Sequence, residues 1–253
     1  MPHPSRRAVL AVVPAAFVAA GVRSVGAQAA TSLPQQSPVA INSATLRRGQ
    51  GLAPLRLSYA RSVALSLSYI SNDGLCGVGG PEESVRATVP AGSGTATLGS
   101  SVYELKQFHF HTPAEHTVDG VRYPVEQHFV HADAAGRLLV LGVFLRPARD
   151  GGPVDRVLAE LPLECGPSFT VPGVDLSSLV ESNPTVVRYS GSLTTAPYTE
   201  GVNWNVVPRP KGVSAASIRR LQGLFPQGDS RELQPLDGRD LVLVRGHGGD
   251  ESE

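Results

Sequence analysis

The sequence predicts one β-dominated α+β domain, and three observations carry that expectation. Apolar and polar residues alternate along several short runs, as half-buried strands require. Turn-forming residues are abundant, with 27 glycines and 21 prolines in 253 residues. Helical signals are confined to two short segments. Hydrophobic residues at 41% and charged residues at 17% suit a packed globular core and exclude a disordered or fibrous chain.

The elements follow in chain order. Gln36-Ser37-Pro38-Val39 opens the body after a short polar lead, and Leu55 to Ile70 alternates as strands do. Asn72 to Glu83 (NDGLCGVGGPEE) has the composition of a loop. Ser84–Val89 and Thr95–Leu98 read as short strands around a PAGSG turn. Tyr103 to His111 and Pro124 to His131 form the arms of a hairpin, with Asp119-Gly120 as its turn signal. Leu138 to Leu145 (LLVLGVFL) is almost continuously apolar, which predicts a central strand buried on both faces. Pro153 to Leu161 starts a helix with proline in the first turn. Ser214 to Leu224 starts one with a capping serine and stops before Phe225-Pro226. VVRYSGSLTT and VNWNVV read as strands flanking the loop from Thr194 to Glu200.

Residues 1–29 read differently. Arg6 and Arg7 precede an apolar run from Ala8 to Ala20, and small residues then offer Ala-x-Ala cuts after Ala27 or Ala29. This is expected to be an export signal, and Ser5-Arg6-Arg7-Ala8-Val9-Leu10 has the twin-arginine form. Export to a bacterial periplasm or to the medium follows. The body is then residues 30–253, with a flexible tail after about 245. Removing the signal takes three arginines from the 22 basic residues and leaves the 22 acids, a net charge near −3. That balance gives no basic footprint for nucleic acid, and no later segment is apolar and long enough to span a bilayer. Cys76 and Cys165 are the only cysteines. They could pair in an oxidising compartment, although a chain exported folded cannot depend on that bond to fold.

Five of the seven histidines fall between Gln107 and His131. Alternate side chains share a strand face, so Gln107, His109 and His111 point one way. Glu126, His128 and Val130 share a face of the return strand, while His131 lies on the other. His109, His111 and His128 can then converge, and three protein ligands with an open fourth position describe a catalytic zinc site. Gln107 and Glu126, each two residues before a proposed ligand, can accept the second ring N–H of those imidazoles. His116 and His131 are expected to be structural. A two-zinc hydrolase pattern, His-x-His-x-Asp-His, fails because Pro113 stands at the aspartate position.

Four separated stretches, in order, resemble the α-class carbonic anhydrases, bacterial members in particular: QSPVAI, QFHFHTPAEHTVDG with VEQHFVH, YSGSLTTAPYTEGVNW, and LQPLDGR. The likeness runs from about Gln36 to Val244. It implies a large, twisted, mostly antiparallel central sheet with short peripheral helices. It also implies zinc (Zn2+) held by His109, His111 and His128, with Gln107 and Glu126 as their outer partners. Thr194 would accept a hydrogen bond from the attacking hydroxide and donate one to Glu115. Val130, Val140, Leu193, Val202 and Trp204 would form the apolar wall for carbon dioxide, with Thr195 nearby. The implied activity is reversible hydration of carbon dioxide to bicarbonate and a proton.

Three departures from the family pattern stand out. Leu75 occupies the position of the proton-shuttle histidine in Asn72-Asp73-Gly74-Leu75, which implies slow, buffer-dependent proton transfer with Asp73 as a weak relay. The aromatic segment usually found ahead of Gln-Ser-Pro is missing, which could bare an apolar patch and leaves room for an oligomer. The disulfide common in exported members is absent, since Tyr198 stands at one of its positions. A weakly active zinc-binding module is the alternative reading, and a zinc esterase with a wider pocket is a third.

Overall fold

A computed structural model of the chain describes residues 34–71 and 82–246. The expected export signal, the shuttle-position residues Asp73 and Leu75, Cys76, and the tail beyond 246 lie outside the described residues. Cys165 packs half-buried against the main core.

Among the described residues, fourteen strands and two α-helices succeed one another. The first strands are β1 (Ala40–Ile41), β2 (Arg47–Arg48), β3 (Leu55–Tyr59), β4 (Val63–Ser71), β5 (Glu83–Thr88) and β6 (Gly94–Leu98). Next come β7 (Ser101–His111), β8 (Thr117–Val118), β9 (Val125–Ala132) and β10 (Leu138–Pro147). After α1 (Asp155–Ala159) follow β11 (Phe169–Val174), β12 (Val186–Ser192), β13 (Glu200–Val213), α2 (Ala215–Leu224) and β14 (Val242–Val244). Both helices lie where the sequence puts them, and the Ser214 side chain caps α2 by accepting from the Ser217 N–H.

Twelve strands form one sheet, ordered β11-β4-β5-β7-β9-β10-β13-β12-β14-β2, with β3 and β6 attached beside β7. Most neighbours are antiparallel, as expected. The central contact is an exception: β10 and β13 run parallel, with Val140 opposite Trp204. β10 is buried along Leu139–Leu145 because its alternate residues feed two cores. Leu139, Leu141 and Val143 join the larger apolar cluster, while Val140 and Phe144 join a smaller one with Trp204 and Val206 on the opposite face.

The β7–β9 pairing differs from a simple hairpin in its connection. Asp119 (φ 49°) and Gly120 (φ 78°) close a tight turn between Val118 and Val121, and β8 pairs in parallel with β1. The Asp-Gly signal thus marks a turn inside the long β7–β9 connection. β7 also carries a bulge at Lys106, so Leu105 faces the large core opposite His131 while Gln107 faces Val130 on the other side.

Candidate metal centre

The register of β7 and β9 sets His109 opposite His128 and His111 opposite Glu126. Residues directly opposite in a ladder share a face, so the three imidazoles emerge together, with ring centroids 4.8 to 5.3 Å apart. Their candidate ligand nitrogens lie within 4.8 Å of one another. Each ring is fixed from behind by a different partner. The Gln107 amide oxygen is 2.9 Å from His109 Nδ1. The backbone carbonyl of Asp229 is 3.2 Å from His111 Nδ1. Glu126 Oε1 is 3.0 Å from His128 Nε2, an ion-pair distance without hydrogen-bond alignment. These contacts leave Nε2 of His109, Nε2 of His111 and Nδ1 of His128 to face the common space. His111 Nε2 is buried and has no hydrogen-bond partner.

Electrostatics favour neutral imidazoles there. Burial, then the neighbouring His111 and His128, hold His109 well below its ordinary pKa. Burial does the same to His128, against the opposing pull of Glu126. Neutral rings with one free nitrogen each are what a transition-metal ion requires, and an all-imidazole donor set suits zinc.

Glu126 sits at the centre of a buried network. Its Oε1 also meets His116 Nδ1 at 2.8 Å, and its Oε2 accepts the backbone N–H groups of Glu115 and His116, both at 2.9 Å. Burial alone would raise this carboxyl, but His116 and His128 outweigh it and hold its pKa well below the usual range. His116 Nε2 then lies 2.6 Å from the Tyr189 hydroxyl, which donates to Ser37 Oγ at 2.9 Å. The grouping of His116, Glu126 and His128 is therefore a hydrogen-bonded relay rather than a second metal site. Gly142, opposite His128 on β10, makes room for it, since a Cβ there would stand 2.8 Å from Glu126 Oε1.

Thr194 and Glu115 are buried beside the histidines. Glu115 Oε1 accepts the Arg231 N–H at 2.9 Å, and Oε2 points toward the imidazoles, 3.7 Å from His111 Nε2. Burial pushes the Glu115 carboxyl up to about 8. The Thr194 hydroxyl is near enough to oppose that rise, yet no well-aligned hydrogen bond reaches Oε2. Val140, Val202 and Trp204 are buried in the smaller cluster with Val130 and Leu193 packed against it, and Thr195 is half-buried next to Thr194. The Trp204 ring lies 4.9 Å from those of both His116 and His128.

A family model described as eukaryotic-type carbonic anhydrase matches residues 26–244. The chain belongs to this family. It is 29% identical over 208 residues to a carbonic anhydrase of Pectobacterium atrosepticum, covering 82% of this chain and 79% of that relative. A carbonic anhydrase of Neisseria gonorrhoeae is 32% identical over 158 residues, spanning 62% of this chain and 63% of the relative, a little under two thirds of its length. Among solved structures, the α-carbonic anhydrase of Thermovibrio ammonificans in complex with the inhibitor sulfanilamide superposes with a TM-score of 0.71 at 33% identity. That superposition covers 82% of this chain and 86% of the other. The α-carbonic anhydrase family is zinc-dependent, and the histidine group found here could bind such an ion.

Sequence reasoning did not find Asp229 or Arg231. Arg231 meets the site through its backbone N–H, and Asp229 through its carbonyl and a carboxylate oxygen 3.7 Å from His111 Nδ1, both across more than a hundred residues of chain that local pattern does not bridge. His116, read as structural, turns out to link Glu126 to Tyr189. No described helix is long and apolar enough to cross a membrane.

Proposed function

We propose that this member of the carbonic anhydrase family catalyses the reversible hydration of carbon dioxide to bicarbonate and a proton. The observation that carries the reading is the convergence of three imidazoles, each held from behind by a separate acceptor and each left with one nitrogen facing the same space. His109, His111 and His128 hold zinc in this reading. When bound, zinc acidifies water and so supplies hydroxide at neutral pH, carbonic anhydrase being the established example of that chemistry.

The chain's own residues do the rest. Thr194 donates to Glu115 and is thereby left to accept from the attacking hydroxide, which fixes the direction of its lone pair. Glu115 is anchored for this by the Arg231 N–H, and a divalent cation nearby would draw its proton off. Val130, Val140, Leu193, Val202 and Trp204 form an apolar wall that suits carbon dioxide and disfavours water. Gln107, Glu126 and the Asp229 carbonyl fix the ring orientations. Proton exit is the slow part. Among the described residues all five histidines are committed, three to the centre and two to buried hydrogen bonds. The N-terminal segment serves as an export signal; N-terminal sequencing of the protein recovered from the periplasm would check it.

The test is stopped-flow carbon dioxide hydration by the purified protein, with zinc quantified, over a range of imidazole concentrations. A rate that climbs with buffer is expected. Full zinc occupancy without hydration at any buffer level would leave a zinc-binding module in place of the enzyme.

A further inference from the structure

Arg86 has no place in the reading so far. It lies on β5, directly opposite His109 on β7 and Ser68 on β4. Thr88 is likewise opposite Gln107. Directly opposed residues on neighbouring strands have Cβ atoms about 5 Å apart on the same face. Arg86 therefore rises beside His109 on the side of the sheet where the imidazoles converge. Its position is set by two ladders at once.

Arg86 makes no ion pair or hydrogen bond among the described residues, and its Nε is buried without a partner. Buried donors in folded proteins are nearly always paired, so an arginine kept in this state is suited to a partner that comes and goes. The acids of the site cannot fill that role. Glu126 takes His116 and two backbone N–H groups with His128 3.0 Å away, Glu115 is tied to Arg231 on one oxygen and faces His111 with the other, and Asp229 takes the Thr112 N–H on one oxygen and faces His111 with the other at 3.7 Å.

Of the two carbon species in the reaction, only bicarbonate is an anion, and its planar oxygens match the fork of a guanidinium. We propose that Arg86 is a specificity residue that holds bicarbonate beside His109, an inference that rests on the carbonic anhydrase reading. Carbon dioxide, uncharged, gains nothing from it. Because the overall equilibrium ties the two directions together, losing an interaction made with bicarbonate alone leaves kcat/KM for dehydration unchanged, raises kcat and KM together at buffer concentrations where proton transfer no longer limits, and weakens product inhibition of hydration.

Two measurements on wild type, Arg86→Gln and Arg86→Lys test this. In the zinc-loaded protein, Arg86→Gln should raise the bicarbonate inhibition constant about tenfold, equivalent to 1.4 kcal/mol, with Arg86→Lys between it and wild type. In the metal-free protein, the line of 13C-labelled bicarbonate should broaden with wild type and not with Arg86→Gln. Equal broadening by wild type and Arg86→Gln, or none with wild type, overturns the proposal. Should the zinc-loaded wild type hydrate no carbon dioxide, the enzyme reading fails by itself, and the metal-free spectra still decide whether Arg86 holds the anion.

Discussion

Replacing Glu126 with glutamine changes one atom in the most constrained part of the molecule. The carboxylate accepts three hydrogen bonds, from His116 Nδ1 on Oε1 and from two backbone N–H groups on Oε2, and Oε1 also stands 3.0 Å from His128 Nε2. A glutamine has only one oxygen, so its NH2 must face one of these donor pairs. Backbone N–H groups cannot change their protonation. With NH2 against them, two buried donors are left unmet, at about 1–3 kcal/mol each. With NH2 against the imidazoles, those rings must turn acceptor, and the His128 proton moves to Nδ1, the nitrogen that faces the proposed zinc. Either arrangement damages the site. Loss of such an outer partner generally weakens metal binding 10- to 100-fold, which is about 1.4–2.7 kcal/mol. Zinc affinity by competition with a chelator, together with denaturant unfolding of the metal-free protein, should show both losses in Glu126→Gln. Wild-type zinc affinity and wild-type stability in that variant would refute the argument that this carboxylate sets the His128 tautomer.

Other expectations follow from neighbouring features. Gly142→Ala should crowd Glu126 Oε1 and cost about 1–3 kcal/mol of stability, with weaker zinc binding in the same chelator assay. Thr194→Ala should lower the hydration rate about 100-fold or more, by the measure of other lost orienting hydrogen bonds, while zinc content stays at the wild-type level. His131 is buried on the opposite face, with Nδ1 near the Leu139 carbonyl and Nε2 2.7 Å from the Tyr59 hydroxyl, and burial pushes its pKa down to about 4. The unfolded chain, with an ordinary histidine pKa near 6.5, therefore binds a proton that the native state refuses as pH falls from about 6.5 toward 4. Stability contributed by the neutral ring is present above that window and lost through it, by about 2–3 kcal/mol at pH 4.5. Unfolding of His131→Gln should show a pH dependence shallower by that amount, and an unchanged slope would mean that His131 is not held neutral.

Much of this molecule could be read from local pattern, and what could not be read depended on long-range pairing. The alternation from Gln107 to His111 and from Glu126 to Val130 decided which side chains share a face, and the ladder sets His109 opposite His128 accordingly. Leu138–Leu145 announced a strand buried on both sides because a doubly covered strand has no polar face to show. The apolar run cannot say which strand lies next to it, and the parallel partner β13 arrives some sixty residues later. β11 escaped notice for a related reason: its exposed and buried positions do not alternate, and among the described residues it pairs with β4 alone. The bulge at Lys106 was equally hidden, since unbroken alternation from Tyr103 would have put Leu105 on the side of the histidines.

The centre itself shows the same division. Its imidazoles and their side-chain acceptors sit two residues apart on single strands, a spacing that strand geometry converts directly into proximity. Thr194 and Glu115 were joined only through the family resemblance, because one comes from a loop and the other from a chain reversal. Arg86 belongs with them. Nothing in SVRATV distinguishes that arginine from an ordinary solvent-facing one until β5 is laid against β7. Then the register puts a cation beside an imidazole that the same sheet keeps neutral. Three neutral imidazoles leave any ion they hold with its full charge but add no directional donor for a planar anion. The third strand, one place further out, supplies it.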